Sequence, residues 1–363
     1  MDCVEGVRGL LRGLVKDAYP GASLVVMANG EVIMDLTVGY AQLKPVEREL
    51  RGGMLFDLAS LTKALSTSII VMRLVERGVI HLTQRVSDVI PEFSTTNAGF
   101  SEVKDKVRVW MLLSHTSGLP AWLPLYKSAS SRDDVIRQAL TAFPVYEPGS
   151  RVVYSDLNYI VLTALVEKLT GQRIDSVFNE MIAEPLSLER TLYNPLTRFS
   201  RDDVVATEYV NEANDALVGI VHDENARAMG GVSGHAGLFA TAEEAAGIGN
   251  ALLESYRDGV FLSRPSVRSM WTPWACGESC YGLGWQVYRR GVTTSGGDLL
   301  TDGKAFGHTG FTGTSIWIDT ELNLVVTLFT NRVHPTRDNR RIDYARPVIH
   351  NAVVSCADKL IYR

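Results

Sequence analysis

The feature that most constrains this chain is where its strand-forming runs lie. Ala22 to Ala28 and Glu31 to Val38 are rich in β-branched residues, and Asn29-Gly30 between them accepts the positive φ angles of a tight hairpin turn. The next strand texture comes only near the other end, in Gly282 to Tyr288, Gly313 to Asp319 and Leu324 to Thr330. From Gly78 to about Leu188, helical segments alternate with turn clusters such as Ser117-Gly118-Leu119-Pro120 and Glu147-Pro148-Gly149-Ser150. Early and late strands around a helical block predict one sheet closed by both ends of the chain. Helix-period patterns over Val4 to Val15 and Tyr344 to Leu360 predict the helices that flank it.

A chain of 363 residues exceeds what one core usually organises, so one large unit with an insertion, or two domains, is expected. Residues 1–65 and 235–363 are assigned to an α/β domain, and 66–234 to a helical domain, with a cleft between them. The net charge of -5 and the lack of any Lys/Arg run argue against nucleic acid as a partner. No apolar run approaches the length of a bilayer span, and no basic, then apolar, leader opens the chain, so a cytoplasmic address without a membrane is predicted. Cys3, Cys276, Cys280 and Cys356 lack zinc spacing; Cys276 and Cys280 are close enough to bridge or share a metal, but reduced structural thiols are expected, and no metal or cofactor is assigned.

Chemistry concentrates in three stretches. In Phe56-Asp57-Leu58-Ala59-Ser60-Leu61-Thr62-Lys63, a helix start would put Ser60 and Lys63 at i and i+3 on one face, a hydroxyl beside an amine. The apolar flanks predict a buried Lys63, whose lost hydration lowers its pKa and suits it to act as a base. A lone S-x-x-K is more often a cap and a solvated face, so the context matters. In Val153-Tyr154-Ser155-Asp156-Leu157-Asn158, a tyrosine near an ammonium would have its phenolate favoured and could relay protons; the plainer reading is a half-buried tyrosine with Asp156 capping the next helix. In Phe306-Gly307-His308-Thr309-Gly310-Phe311, glycines at a strand edge let backbone approach a substrate.

Together these stretches resemble the penicillin-recognising serine hydrolases: class C β-lactamases, DD-peptidases, D-aminopeptidases and family VIII carboxylesterases. Leu113-Ser114-His115-Thr116-Ser117-Gly118-Leu119-Pro120 and Gly230-Gly231-Val232-Ser233-Gly234-His235-Ala236-Gly237-Leu238 extend the resemblance over nearly the whole chain. It implies an α+β, β-lactamase/transpeptidase-like fold, with an antiparallel sheet flanked by terminal helices and an all-helical domain. It also implies that Ser60 forms an acyl-enzyme, that Lys63 and Tyr154 move protons, and that the N–H groups of Ser60 and Phe311 bind the oxyanion. Asp156, His308, Thr309 and Gly310 fall at substrate-binding positions.

Two positions depart from the family pattern. Its Y-x-N is Tyr154-Ser155-Asp156 here, which replaces a donor amide by a carboxylate, and Asn158 lies too far along to substitute. Its K-T-G box is His308-Thr309-Gly310, without the lysine that helps hold a substrate carboxylate. The reading is therefore a carboxylesterase on small or medium acyl esters, with weak β-lactam hydrolysis. The alternatives are a β-lactamase or D-aminopeptidase-like amidase, or a non-catalytic sensor that has kept the fold. The partner is a small-molecule ester or amide. Ser233 is read as a turn residue, His222-Asp223-Glu224-Asn225 as a loop bordering the cleft, and Trp271, Trp274 and Trp285 as pocket-lining or, by default, core residues.

Overall fold

The computed structural model describes residues 3–95 and 101–361. Its centre is a nine-stranded antiparallel sheet. In spatial order the strands are Arg48–Glu49, Glu31–Gln42, Gly21–Ala28, Leu324–Thr330, Ser315–Asp319, Ala305–Thr309, Gln286–Val287, Cys280–Tyr281 and Ala275–Cys276. The first hairpin pairs directly with the last long strand, Ala22 opposite Thr330 and Ala28 opposite Leu324, so the two ends of the chain meet in mid-sheet. Asn29 and Gly30 both take positive φ in the hairpin turn, at 53° and 85°.

Alternation along the central strands feeds two cores. Ala22, Leu24, Val26, Leu324, Val326 and Leu328 face one layer, packed with the helices Cys3–Gly13 and Ile342–Ile361. Val25, Val325 and Phe329 face the other, where the helix Ala242–Asp258 covers the sheet and the helical block continues the core. Each large apolar side chain so buried contributes about 1.5–3 kcal/mol. With both faces covered, every residue of Leu324–Thr330 is buried, and the strand reads as mostly apolar without a polar alternation.

The block between the halves of the sheet is not all-helical. Thr191–Tyr193 joins Phe56–Asp57 and Leu238–Ala240 in a three-stranded sheet, and Ala206–Val210 pairs with Asp215–Val218. These strands are two to five residues long, too short for a period to show in the sequence. The expectation of reduced thiols is also overturned: Cys3 bridges Cys356 and Cys276 bridges Cys280. The first pair is 353 residues apart and meets only because the terminal helices pack side by side. Among the described residues no helix is long and apolar enough to cross a membrane.

Candidate active site

Ser60 lies on the turn between the strand Phe56–Asp57 and the helical segment that carries Lys63. The preceding Ala59 has φ of 45°, an uncommon conformation for a residue with a Cβ, so something must hold it. Asp57, fully buried, does so: Oδ1 accepts the Ala59 N–H at 2.9 Å and Oδ2 the His222 N–H at 2.6 Å. Burial raises the Asp57 carboxyl above its ordinary range against the pull of those two donors. From the opposite side, the hydroxyls of Thr312 and Thr314 donate to the carbonyls of Asp57 and Leu58 at 2.7 and 3.1 Å. A Cβ on Gly310 would meet the Leu58 carbonyl oxygen at 2.4 Å, so only glycine lets the His308-Thr309-Gly310 segment lie against the turn. The N–H groups of Ser60 and Phe311 have no acceptor among the described residues.

Lys63 opens a π-helical turn, Lys63–Thr67, that runs into the helix Ser68–Glu76. It is fully buried, as its apolar flanks suggested, but its surroundings are polar. Nζ donates to Ser60 Oγ at 3.0 Å and to the His235 carbonyl at 3.0 Å, and lies 2.7 Å from Asp156 Oδ1. Asp156 is therefore turned toward the lysine, and the helix Asp156–Thr170 is capped by Ser155 instead. Asn158 is buried on Ser117.

Tyr154 lines the same cavity walls as Ser60, whose hydroxyl acts on the phenol. A phenolate was expected there; burial, with Asp156 adding to it, instead raises the Tyr154 pKa well above its ordinary value. His308 is neutral, its pKa pushed down to about 3 by burial and by Lys63. Its Nδ1–H donates to the Thr309 carbonyl at 2.8 Å, which leaves Nε2 an acceptor with no partner among the described residues. His115 accepts the Ser155 N–H on Nδ1 at 3.0 Å and packs on Tyr154, with ring centres 4.5 Å apart.

Ser60 and Tyr154 separate two cavities. One, of about 480 Å³, is lined by His308, Thr309, Gly310 and Tyr281, and by three cations, Arg332, Arg340 and Arg346. Arg340 is paired with Asp343, and Arg332 holds the carbonyls of Phe311, Arg337 and Asn339. Arg346 is buried, its Nε has no partner among the described residues, and burial lowers its pKa to about 10. The other cavity, of about 360 Å³, is lined by Trp122, Asp156, His222, Asp223, Glu224 and Phe311, among others.

The remaining sequence candidates have other partners. His222 pairs with Glu208, Glu224 with Arg337, and Asp223 with His235, whose ring also meets Ser233 Oγ. Burial raises Asp223, but His235 and the Ala226 N–H outweigh it and hold the carboxyl well below its ordinary range. Trp271 and Trp285 are core residues, and no tryptophan of the predicted trio lines either cavity. Asp57, Tyr281 and Arg346 carry no motif of their own, and only their placement beside Ser60 marks them.

The chain matches the Beta-lactamase family over residues 7–350. The chain belongs to that family. This Beta-lactamase family member is 35% identical over 349 residues to the "N-acetylmuramyl-L-alanine amidase" of Bacillus subtilis strain 168, covering 87% of this chain and 78% of that one. It is 30% identical over 355 residues to a "Putative D-alanyl-D-alanine carboxypeptidase" of Escherichia coli K12, covering 89% and 81%. Among solved structures, "EstCE1, a hydrolase with promiscuous acyltransferase activity" superposes with a TM-score of 0.78 at 21% identity, covering 97% and 98% of the two chains. The penicillin-binding protein homologue of Pyrococcus abyssi gives 0.75 at 20% identity, covering 98% and 78%. The chain is thus a serine hydrolase of the Beta-lactamase family, with the fold of these structures.

Proposed function

We propose that the protein hydrolyses amide bonds in small substrates that carry a carboxylate, through an acyl-enzyme on Ser60. The observation that carries this reading is Arg346: a buried guanidinium in the wall of the nucleophile's cavity that forms no ion pair among the described residues, Asp343 nearby being paired with Arg340. An unpaired buried charge is costly, and an anionic substrate group would offset that cost. In this reading Lys63 and Tyr154 move protons, the N–H groups of Ser60 and Phe311 stabilise the oxyanion, and Thr309 and Gly310 form the strand edge along the substrate. His308 offers the substrate an acceptor where the family has a cation. The curated relatives, an amidase and carboxypeptidases by name, support an amide.

The second reading is the carboxylesterase that the sequence puts first, favoured by the neutral His308. Two disulfides bear on the address, since such bonds persist in oxidising compartments and are rare in most cytosols, and so weigh against the cytoplasmic expectation. The test is a panel comprising p-nitrophenyl acetate, a chromogenic cephalosporin, a D-alanyl anilide, and a D-alanyl-D-alanine-terminated peptide with its C-terminal amide. We expect kcat/KM to be highest on the free-acid peptide and Ser60→Ala to abolish turnover of every substrate while leaving the protein folded. Higher efficiency on the acetate than on the peptide would establish the esterase. Adducts on Ser60 without product release would establish the sensor.

A further inference from the structure

Lys63 Nζ donates to Ser60 Oγ and to the His235 carbonyl, each at 3.0 Å, and forms an ion pair with Asp156 Oδ1 at 2.7 Å, the state of an ammonium beside a carboxylate. A nitrogen in that state has no lone pair for the Ser60 proton. It can take that proton only by giving up one of its own. Of its three neighbours, the carbonyl is not a base at neutral pH and Ser60 is the donor, which leaves the carboxylate. Tyr154 does not substitute, because burial keeps its phenol protonated. Asp156 is well placed for a charged partner: it is the first residue of the helix Asp156–Thr170, where the helix dipole favours an anion, and its side chain is 18% exposed, shielded but not sealed.

We propose that Asp156 is the proton-holding partner of Lys63, so that the nucleophile works through a Ser60–Lys63–Asp156 chain. This rests on Ser60 being the nucleophile. As Ser60 Oγ attacks the substrate carbonyl carbon, its proton passes to Lys63 Nζ, and one Nζ–H proton passes to Asp156 Oδ1. The Oγ–C bond forms and the carbonyl π pair moves onto the oxygen. When the intermediate collapses, the leaving nitrogen takes the C–N bonding pair. It also takes a proton, returned from Asp156 by way of Lys63 and the Tyr154 hydroxyl. The carboxylate and the ammonium are restored, and no proton is gained or lost. Water repeats the cycle in deacylation. Asp156 acts through Lys63 as a positioning residue and need not touch substrate, although its sequence position suggested that it would.

The test is Asp156→Asn, which keeps the shape and removes the base, with Asp156→Glu as the conservative rescue, on p-nitrophenyl acetate and on the preferred substrate of the panel. We expect kcat to fall by about 10²- to 10⁴-fold, the range of general acid–base catalysis, with KM nearly unchanged and partial recovery in the glutamate variant. A raised or unchanged kcat overturns the proposal, since it would mean that Lys63 works better as a lone amine. A raised KM with unchanged kcat also overturns it and makes Asp156 a substrate contact. If Asp156→Asn does not fold, a proton inventory on the wild-type acylation step decides: a curved plot shows two protons in flight, and a linear plot refutes the chain. Retained turnover in a folded Ser60→Ala protein would instead remove the reading on which the proposal rests.

Discussion

Arg346→Met separates substrate binding from stability. Arg346 is 6% exposed, lines the cavity at Ser60 and pairs with no carboxylate among the described residues; Asp343, one turn away, is taken by Arg340. Methionine keeps most of the volume and removes the charge. Replacing buried ionic groups by apolar ones of similar size often stabilises by about 1–4 kcal/mol. For a chain of 363 residues we therefore expect Tm to rise by about 1–5 °C. Hydrogen bonds to a charged group are worth about 1.5–3 kcal/mol, so losing the contact to a substrate carboxylate should raise KM about 10- to 150-fold. The assay compares a D-alanyl-D-alanine-terminated peptide with its C-terminal amide, alongside calorimetry. The free acid should lose efficiency and the amide should not. Equal losses on both, or a lower Tm, would refute the argument that this guanidinium waits for an anion.

Two further outcomes follow from buried groups. His308 and His350 are both held neutral, with pKa values pushed down to about 3 chiefly by burial, whereas an unfolded histidine titrates near 6.5. Below about pH 6.5 the unfolded chain binds protons that the native state refuses, so stability is full above that pH and is lost as pH falls toward 3. Urea melts at pH 7, 5 and 4 should show this, and His350→Leu should remove about one proton from the slope; an unchanged slope in that variant would refute the assignment. Asp57→Ala strands the N–H groups of Ala59 and His222, at about 1–3 kcal/mol each, and frees the strained turn. It should lower both Tm and the rate at which a fluorophosphonate labels Ser60, and labelling at the wild-type rate would show that the turn holds itself.

Much of the site was legible because its parts are local. Ser60 and Lys63 lie within one turn of chain, Tyr154 and Asp156 within another, and Gly310 is required where a strand edge touches the nucleophile turn. The hairpin at Asn29-Gly30 and the strand Leu324–Thr330 were legible for the same reason, since turn chemistry and apolar runs are properties of adjacent residues.

Tertiary structure decided what depends on residues far apart in the chain. It set Asp156 beside Lys63, made Tyr154 a phenol by burying it, and joined Cys3 to Cys356 through packed terminal helices. It also brought Arg346, from the C-terminal helix, to the wall of the cavity at Ser60, the observation on which our proposal of an amide substrate rests. The amino-acid order determined which chemical groups the site contains, because local spacing places a hydroxyl, an amine and a phenol. Which of these groups is buried, and which lies beside which, was decided by packing and by distances between elements, which no local pattern encodes.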